Sequence, residues 1–153
     1  MASNIKASTL TVKISELIEL NGKNRGSNNV LNISNINEVD NRIVTLPSGS
    51  QTTLFSLSNN PGAGTFVTSS LKYARITNKD DSYHVRLRVS SSVGNAMDFK
   101  IEPETSFILS NSKVTGSLGG LDLNSTFSYD NVKYVNAEPS GSNVDVEIFI
   151  AST

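Results

Sequence analysis

Few residues in this chain have side chains suited to catalysis. It holds one histidine, His84, and no cysteine. Thiolate nucleophiles, zinc–thiolate centres and disulfides are therefore excluded, and a multi-histidine metal site cannot be built. His84 is expected on the outer side of its strand, opposite to Val85 and Leu87, with no serine–aspartate frame or second histidine nearby, so it reads as a surface residue and not as a base. Carboxylates fall close together at Asp80-Asp81 and at Glu102/Glu104. The first pair is placed on a turn and the second flanks Pro103, and neither spacing matches a twelve-residue calcium loop. Gly116-Ser117-Leu118-Gly119-Gly120 has the glycines of a phosphate cradle but neither its lysine nor a following helix, and reads as a loop. No nucleophile elbow, dinucleotide fingerprint or zincin motif is present. No enzyme and no cofactor is expected from these residues.

The elements that would carry any site are strands. Ser, Asn and Thr make up 54 of the 153 residues and charged residues only 18%, so helix formers give way to turn and strand formers. Period-2 alternation marks Thr9 to Ile14, Val30 to Ile36, Arg42 to Leu46, Thr52 to Leu57, Thr65 to Asn78, Tyr83 to Val89, Met97 to Glu102, Ser106 to Ser110, Phe127 to Asn136 and Val144 to Ala151. Asn21-Gly22 offers a tight turn, and Ser15 to Leu20 is too short to compete as a helix. The fold class expected is all-β, an antiparallel, jelly-roll-like β-sandwich of about 8–10 strands with no major helix. It is expected as a single domain over residues 1–153, with residues 1–8 either a flexible arm or the start of the first strand. The long polar loop over 111–125 carries Leu118, Leu121 and Leu123, which either fold over an open end of the sandwich or order against a neighbour.

Net charge is −1. Without a basic field no nucleic-acid partner is expected, and with no apolar run near 18 residues no membrane partner and no export segment is expected either.

Thr65–Asn78 and Tyr83–Val89, joined by Lys79-Asp80-Asp81-Ser82, read as a hairpin. That register sets Ile76 against Val85 and Ala74 against Leu87 on the buried side. On the other side it sets Thr77 against His84, Arg75 against Arg86 and Tyr73 against Arg88. Arginine opposite arginine is unfavourable and calls for either solvent or carboxylates near this face. Carboxylates could come from within the chain, from Asp145 and Glu147 on the last strand, or from another subunit through bidentate pairing. Arg75, Arg86, Arg88, Leu118, Leu121 and Leu123 are thus the candidate subunit-interface residues.

The segments Lys72-Tyr73-Ala74-Arg75-Ile76-Thr77-Asn78, Val85-Arg86-Leu87-Arg88-Val89, Phe99 to Leu109 with its Pro103-Glu104-Thr105-Ser106-Phe107 turn, and Val144 to Thr153 resemble small β-sandwich virion structural proteins of tailed bacteriophages. The likeness covers roughly the second half of the chain. It implies a capsid decoration (cement) protein bound to the head shell, or else a tail, neck or adaptor subunit, assembled in the bacterial cytoplasm and located on the virion. The implied partners are the major capsid protein or other virion subunits. A homo-oligomer is implied too, a trimer where capsomers meet in threes. A carbohydrate-binding module is the alternative from another class. It would need aromatics exposed along a groove, and the chain has no Trp and only four Tyr.

Overall fold

A computed structural model describes residues 6–58, 60, 62–67, 71–91, 94, 96–110, 116–117, 126–127 and 132–153. Among the described residues there is no helix. The strands are β1 Ser8–Ser15, β2 Glu19–Leu20, β3 Lys23–Asn24, β4 Asn28–Ile36, β5 Glu38–Leu46, β6 Thr52–Ser58, β7 Thr65–Val67, β8 Leu71–Asn78, β9 Val85–Ser91, β10 Ala96–Ile101, β11 Ser106–Ser110, β12 Gly116–Ser117, β13 Thr126–Phe127, β14 Val132–Pro139 and β15 Val144–Ser152.

Two sheets make the sandwich, a front sheet ordered β10-β9-β14-β6-β7 and a back sheet ordered β11-β8-β15-β5. Take β5, β6, β8, β9, β10, β11, β14 and β15 as the first to eighth strands. The back sheet then holds the first, eighth, third and sixth side by side, and the front sheet the second, seventh, fourth and fifth. This is the order in which two Greek keys wrap into a jelly roll. All pairs among these eight are antiparallel, and β7 adds to β6 in parallel.

Alternation decides what lies between the layers. Val144, Val146, Ile148 and Ile150 of β15, Ala74 and Ile76 of β8, Val85, Leu87 and Val89 of β9, and Val135 and Ala137 of β14 are all buried in one apolar cluster with Leu46, Phe55 and Phe66. At about 1.5–3 kcal/mol for each large side chain removed from water, this cluster is the main source of stability. Along one open side, Arg42 of β5 reaches across to donate to the Leu54 carbonyl of β6 at 2.6 Å and pairs with Asp40 at 2.8 Å.

The structure corrects two expected pairings. Residues Thr65 to Asn78 form no single strand: β7 belongs to the front sheet and β8 to the back. Nor do β8 and β9 form a hairpin, because the Lys79–Ser82 connection passes from the back sheet to the front. The connection is instead turned by side chains. The Asp80 carboxylate accepts from the amides of Ser82 (2.8 Å) and Tyr83 (2.6 Å), and Asn78, fully buried, donates to the Tyr83 carbonyl at 2.8 Å and accepts from the Asp80 amide at 3.1 Å. Ile76 and Val85 still point inward, as alternation requires, but from opposite layers. Asn21-Gly22, by contrast, turns as expected, with φ of 53° and 70°, the signature of a two-residue hairpin turn.

Leu118, Leu121 and Leu123 lie outside the described residues, as does most of 111–125. The N-terminal five residues are likewise outside, and β1 begins at Ser8.

Candidate functional site

Once β8 and β9 belong to different layers, the arginines fall on two separate surfaces, each with a carboxylate of its own chain. Arg75, on the outer face of the back sheet, pairs with Glu147 of β15 and also donates to Thr77 Oγ1. Arg86, on the outer face of the front sheet, pairs with Glu138 of β14. Arg88 grips Asp98 of β10 with two hydrogen bonds of 2.7 Å. That bond, reinforced by the guanidinium charge, holds the Asp98 carboxyl below its ordinary range and raises Arg88. The opposition of Arg75 to Arg86 does not exist, because the two strands are not neighbours. Glu147 was recognisable from the sequence as an internal partner. Glu138 and Asp98 were not, because the neighbours of β9 depend on its sheet. Asp145 accepts from Thr45 Oγ1 at 2.6 Å.

The remaining polar residues singled out in the sequence serve turns. His84 lies just ahead of β9 with its carbonyl accepting from the Ser140 amide at 3.0 Å, and Asp81 accepts from the Ser82 hydroxyl at 2.6 Å. Glu102 pairs with Lys100 at 2.6 Å, and Glu104 takes a positive φ of 57° in the turn after Pro103. Among the described residues no three His, Asp or Glu side chains are grouped to hold a metal.

The most distinctive surface comes from the first half of the chain. β1 pairs with β4, and the same register continues through backbone bonds from Glu16 to Ser27 (2.8 Å) and from Arg25 to Ile18 (2.9 Å) into β2 and β3, closing at Asn21-Gly22. The result is one two-stranded ribbon. Near its start, β4 carries an extra residue against β1, with Asn35 at φ 63°, a bulge that turns Ile36 down onto the sandwich.

Directly opposite residues share a face. One face of the ribbon therefore carries Leu10/Ile33, Val12/Leu31, Ile14/Asn29, Glu16/Ser27, Ile18/Arg25 and Leu20/Lys23. The Ser27 hydroxyl bonding Glu16 at 2.7 Å agrees with this. At the root, Leu10, Val12, Ile33 and Ile36 pack on Tyr73, Phe149 and Ala151 of the back sheet, where the Tyr73 and Phe149 rings meet edge-on at 6.0 Å. Burial there raises the Tyr73 hydroxyl pKa, against a smaller opposing effect of Arg75.

Past Val12 the ribbon leaves its support. From Lys13 to Val30 every residue is exposed apart from half-buried Gly26. At about 3.3 Å per residue this free portion is about 25 Å long. Its exposed apolar residues are divided between the two faces: Ile14 (49%), Ile18 (54%) and Leu20 (56%) lie on one, Leu17 (91%) and Val30 (53%) on the other. Where it parts from the sheet, two adjoining clefts of about 340 and 160 Å³ open beneath it, sharing Val12, Ile14, Tyr73 and Ile108 as walls. Gly26 is required in this arm, since a Cβ there would lie 2.0 Å from the Glu16 carbonyl oxygen.

This arm is a candidate interaction surface that the alternation of single strands did not disclose. Its signal was present: Leu10, Val12, Ile14, Ile18 and Leu20 alternate on one parity up to an Asn-Gly turn, a longer run than one sandwich strand needs to cross a core. No family model, curated protein or solved structure matches the chain in comparisons with known proteins.

Proposed function

We propose that this chain is a structural subunit of a tailed-bacteriophage particle, a decoration protein that binds the outside of the head shell and stabilises it. The observation that carries this reading is the free arm. Five large apolar side chains, Ile14, Leu17, Ile18, Leu20 and Val30, stand in water on a ribbon that contributes nothing to the sandwich core. Their combined exposure equals about three fully exposed large side chains, so roughly 5–9 kcal/mol becomes available when a partner covers them. Exposed apolar surface of this kind marks an interaction site. A two-stranded ribbon is marginal on its own in water and gains stability from what it lies on. The sandwich type supports the reading as analogy only: jelly rolls build viral capsids, but also lectins and cupins, so the argument rests on the arm.

Decoration works by mass action. A protein that binds assembled shell and not dissociated capsomers stabilises the shell by its binding free energy at every occupied site. The paired arginines suit such a role, since alternating charge keeps the two sheet faces soluble while the arm makes contact. Among the described tyrosines, Tyr134 lies on the front sheet, Tyr83 stands over Gly141 at a loop end and Tyr73 is buried, which gives a sugar no aromatic row to stack on.

The test is to strip the protein from purified particles, heat them and follow genome release. Release at lower temperature, restored on adding the protein back but not a chain lacking residues 13–30, is the expected result. Unchanged release counts against decoration. A copy number matching one ring, in place of hundreds, would move the protein to the tail or neck.

A further inference from the structure

We infer that Asn21, at the tip of the arm, is a self-modification site: the backbone nitrogen of Gly22 closes onto its side chain, expels ammonia, and leaves an isoaspartate that no longer forms the turn.

The residue pair makes the chemistry possible. The Gly22 amide nitrogen, its proton taken by hydroxide, attacks Asn21 Cγ. The N–Cγ bond forms, the Cγ–Nδ2 bond breaks, and Nδ2 leaves as ammonia with a proton from water, so that a five-membered succinimide remains. Water then opens the ring. Cleavage at Cγ gives aspartate, whereas cleavage at the Asn21 backbone carbonyl carbon reroutes the main chain through Cγ and gives isoaspartate. No oxidation state changes. Only glycine leaves the attacking nitrogen without a neighbouring Cβ, and among the asparagines of the chain Asn21 alone is followed by glycine.

The fold decides where and when this happens. Asn21 and Gly22 have φ of 53° and 70°, and in a closed turn of this type the first central residue has ψ of about 30°. That ψ sets the Gly22 nitrogen on the far side of the Cα–C bond from the Asn21 Cβ, so the ring closes only after the turn opens. Opening is local here. The tip is held by the Glu19/Asn24 and Leu20/Lys23 pairs of a ribbon whose residues are exposed there, and a two-stranded ribbon is marginal in water. Asn35 also has a positive φ, but it is followed by buried Ile36 at the arm root. Asn78 is buried, with its Nδ2 bonded to the Tyr83 carbonyl.

The product alters the arm. Isoaspartate places an extra carbon in the main chain between Leu20 and Lys23, which face each other across the turn, and a two-residue hairpin turn does not accommodate it. The change also adds a negative charge to a chain whose net charge is −1. Because the turn opens before the reaction and does not re-form after it, the arm carries a one-way clock: a tip held shut is preserved, and a tip left free is lost. This concerns the chain free in solution and does not rest on the decoration reading.

The test is to incubate the full chain at mildly alkaline and mildly acidic pH and digest samples with trypsin, against a sample taken at zero time. Trypsin releases Ile14–Lys23, in which Asn21 is the only amide side chain. Its acid form should accumulate with time, faster at the alkaline pH, as separable isoaspartate and aspartate peptides. Asn21→Gln, which would have to close a larger ring, should leave the peptide unchanged. A staple then tests the turn. Glu19 and Asn24 are directly opposite, one pair beyond Leu20 and Lys23, at a separation that a disulfide spans, and the chain has no native cysteine. Glu19→Cys with Asn24→Cys, oxidised, should convert roughly tenfold or more slowly than the same protein reduced. A peptide that stays unmodified overturns the inference. So does conversion to aspartate alone, the mark of direct hydrolysis, and so do equal rates in the stapled and reduced proteins.

Discussion

Replacing Asn78 by alanine tests how the sandwich turns its corner between β8 and β9. Asn78 is completely buried. Its Nδ2 donates to the Tyr83 carbonyl at 2.8 Å and more weakly to the Ile101 carbonyl at 3.4 Å, and its Oδ1 accepts from the Asp80 amide at 3.1 Å. Its backbone amide, which alanine retains, donates to the Thr105 carbonyl at 3.0 Å. Each lost bond is worth ~1 kcal/mol net, and a backbone group left unpaired in the interior costs ~1–3 kcal/mol. With two good bonds removed and two partners stranded, the expected loss is about 3 kcal/mol. For a chain of this length that lowers the melting temperature by roughly 6–12 °C. Thermal and urea unfolding followed by circular dichroism measure it, and the urea slope should be unchanged because the surface exposed on unfolding is the same. Asp80→Ala, which removes only the exposed part of the turn, should cost about 1 kcal/mol. An Asn78→Ala loss below that of Asp80→Ala would refute the view that a buried side chain, and not the loop sequence, directs the chain from one sheet to the other.

Ile148→Ala, in the middle of β15 and fully buried, should cost about 2–5 kcal/mol by chemical denaturation. Gly26→Ala should place a Cβ in contact with the Glu16 carbonyl oxygen; amide exchange from Glu16 to Ser27 should speed up while the melting temperature of the sandwich stays nearly constant. The Asp98 carboxyl is held low by Arg88, so its contribution to stability is present above the ordinary carboxylate pKa and is lost as pH falls through the lowered one. Carbon-detected titration should show Asp98 returning upward in Arg88→Gln, with little change in stability, because both side chains are well exposed.

Legibility varied with the range of the physics involved. Strand positions and inward-facing residues were readable because alternation is local: a strand with one buried face must place apolar side chains at every second position. Hence Val144, Val146, Ile148 and Ile150 share one face of the last strand whatever its neighbours are. The Asn21-Gly22 turn was readable for the same reason, since backbone sterics alone select it. Partner choice was not. A strand joined to the next by a short polar connection can fold back beside it or cross to the facing sheet, and both arrangements bury the same residues. The outcome at Lys79–Ser82 depends on Asn78 finding carbonyls at Tyr83 and Ile101, groups distant in sequence or oriented only by the finished corner. The arginine partners follow from that choice. Arg75 meets Glu147 across a gap of 72 residues and Arg86 meets Glu138 across 52. The apolar arm was half readable: its alternation and its turn lie in the sequence, but whether Ile14, Ile18 and Leu20 rest on a sheet or extend past one depends on where that sheet ends. Local sterics and side-chain parity belong to the chain itself, whereas sheet membership and exposure of the arm belong to the packed whole.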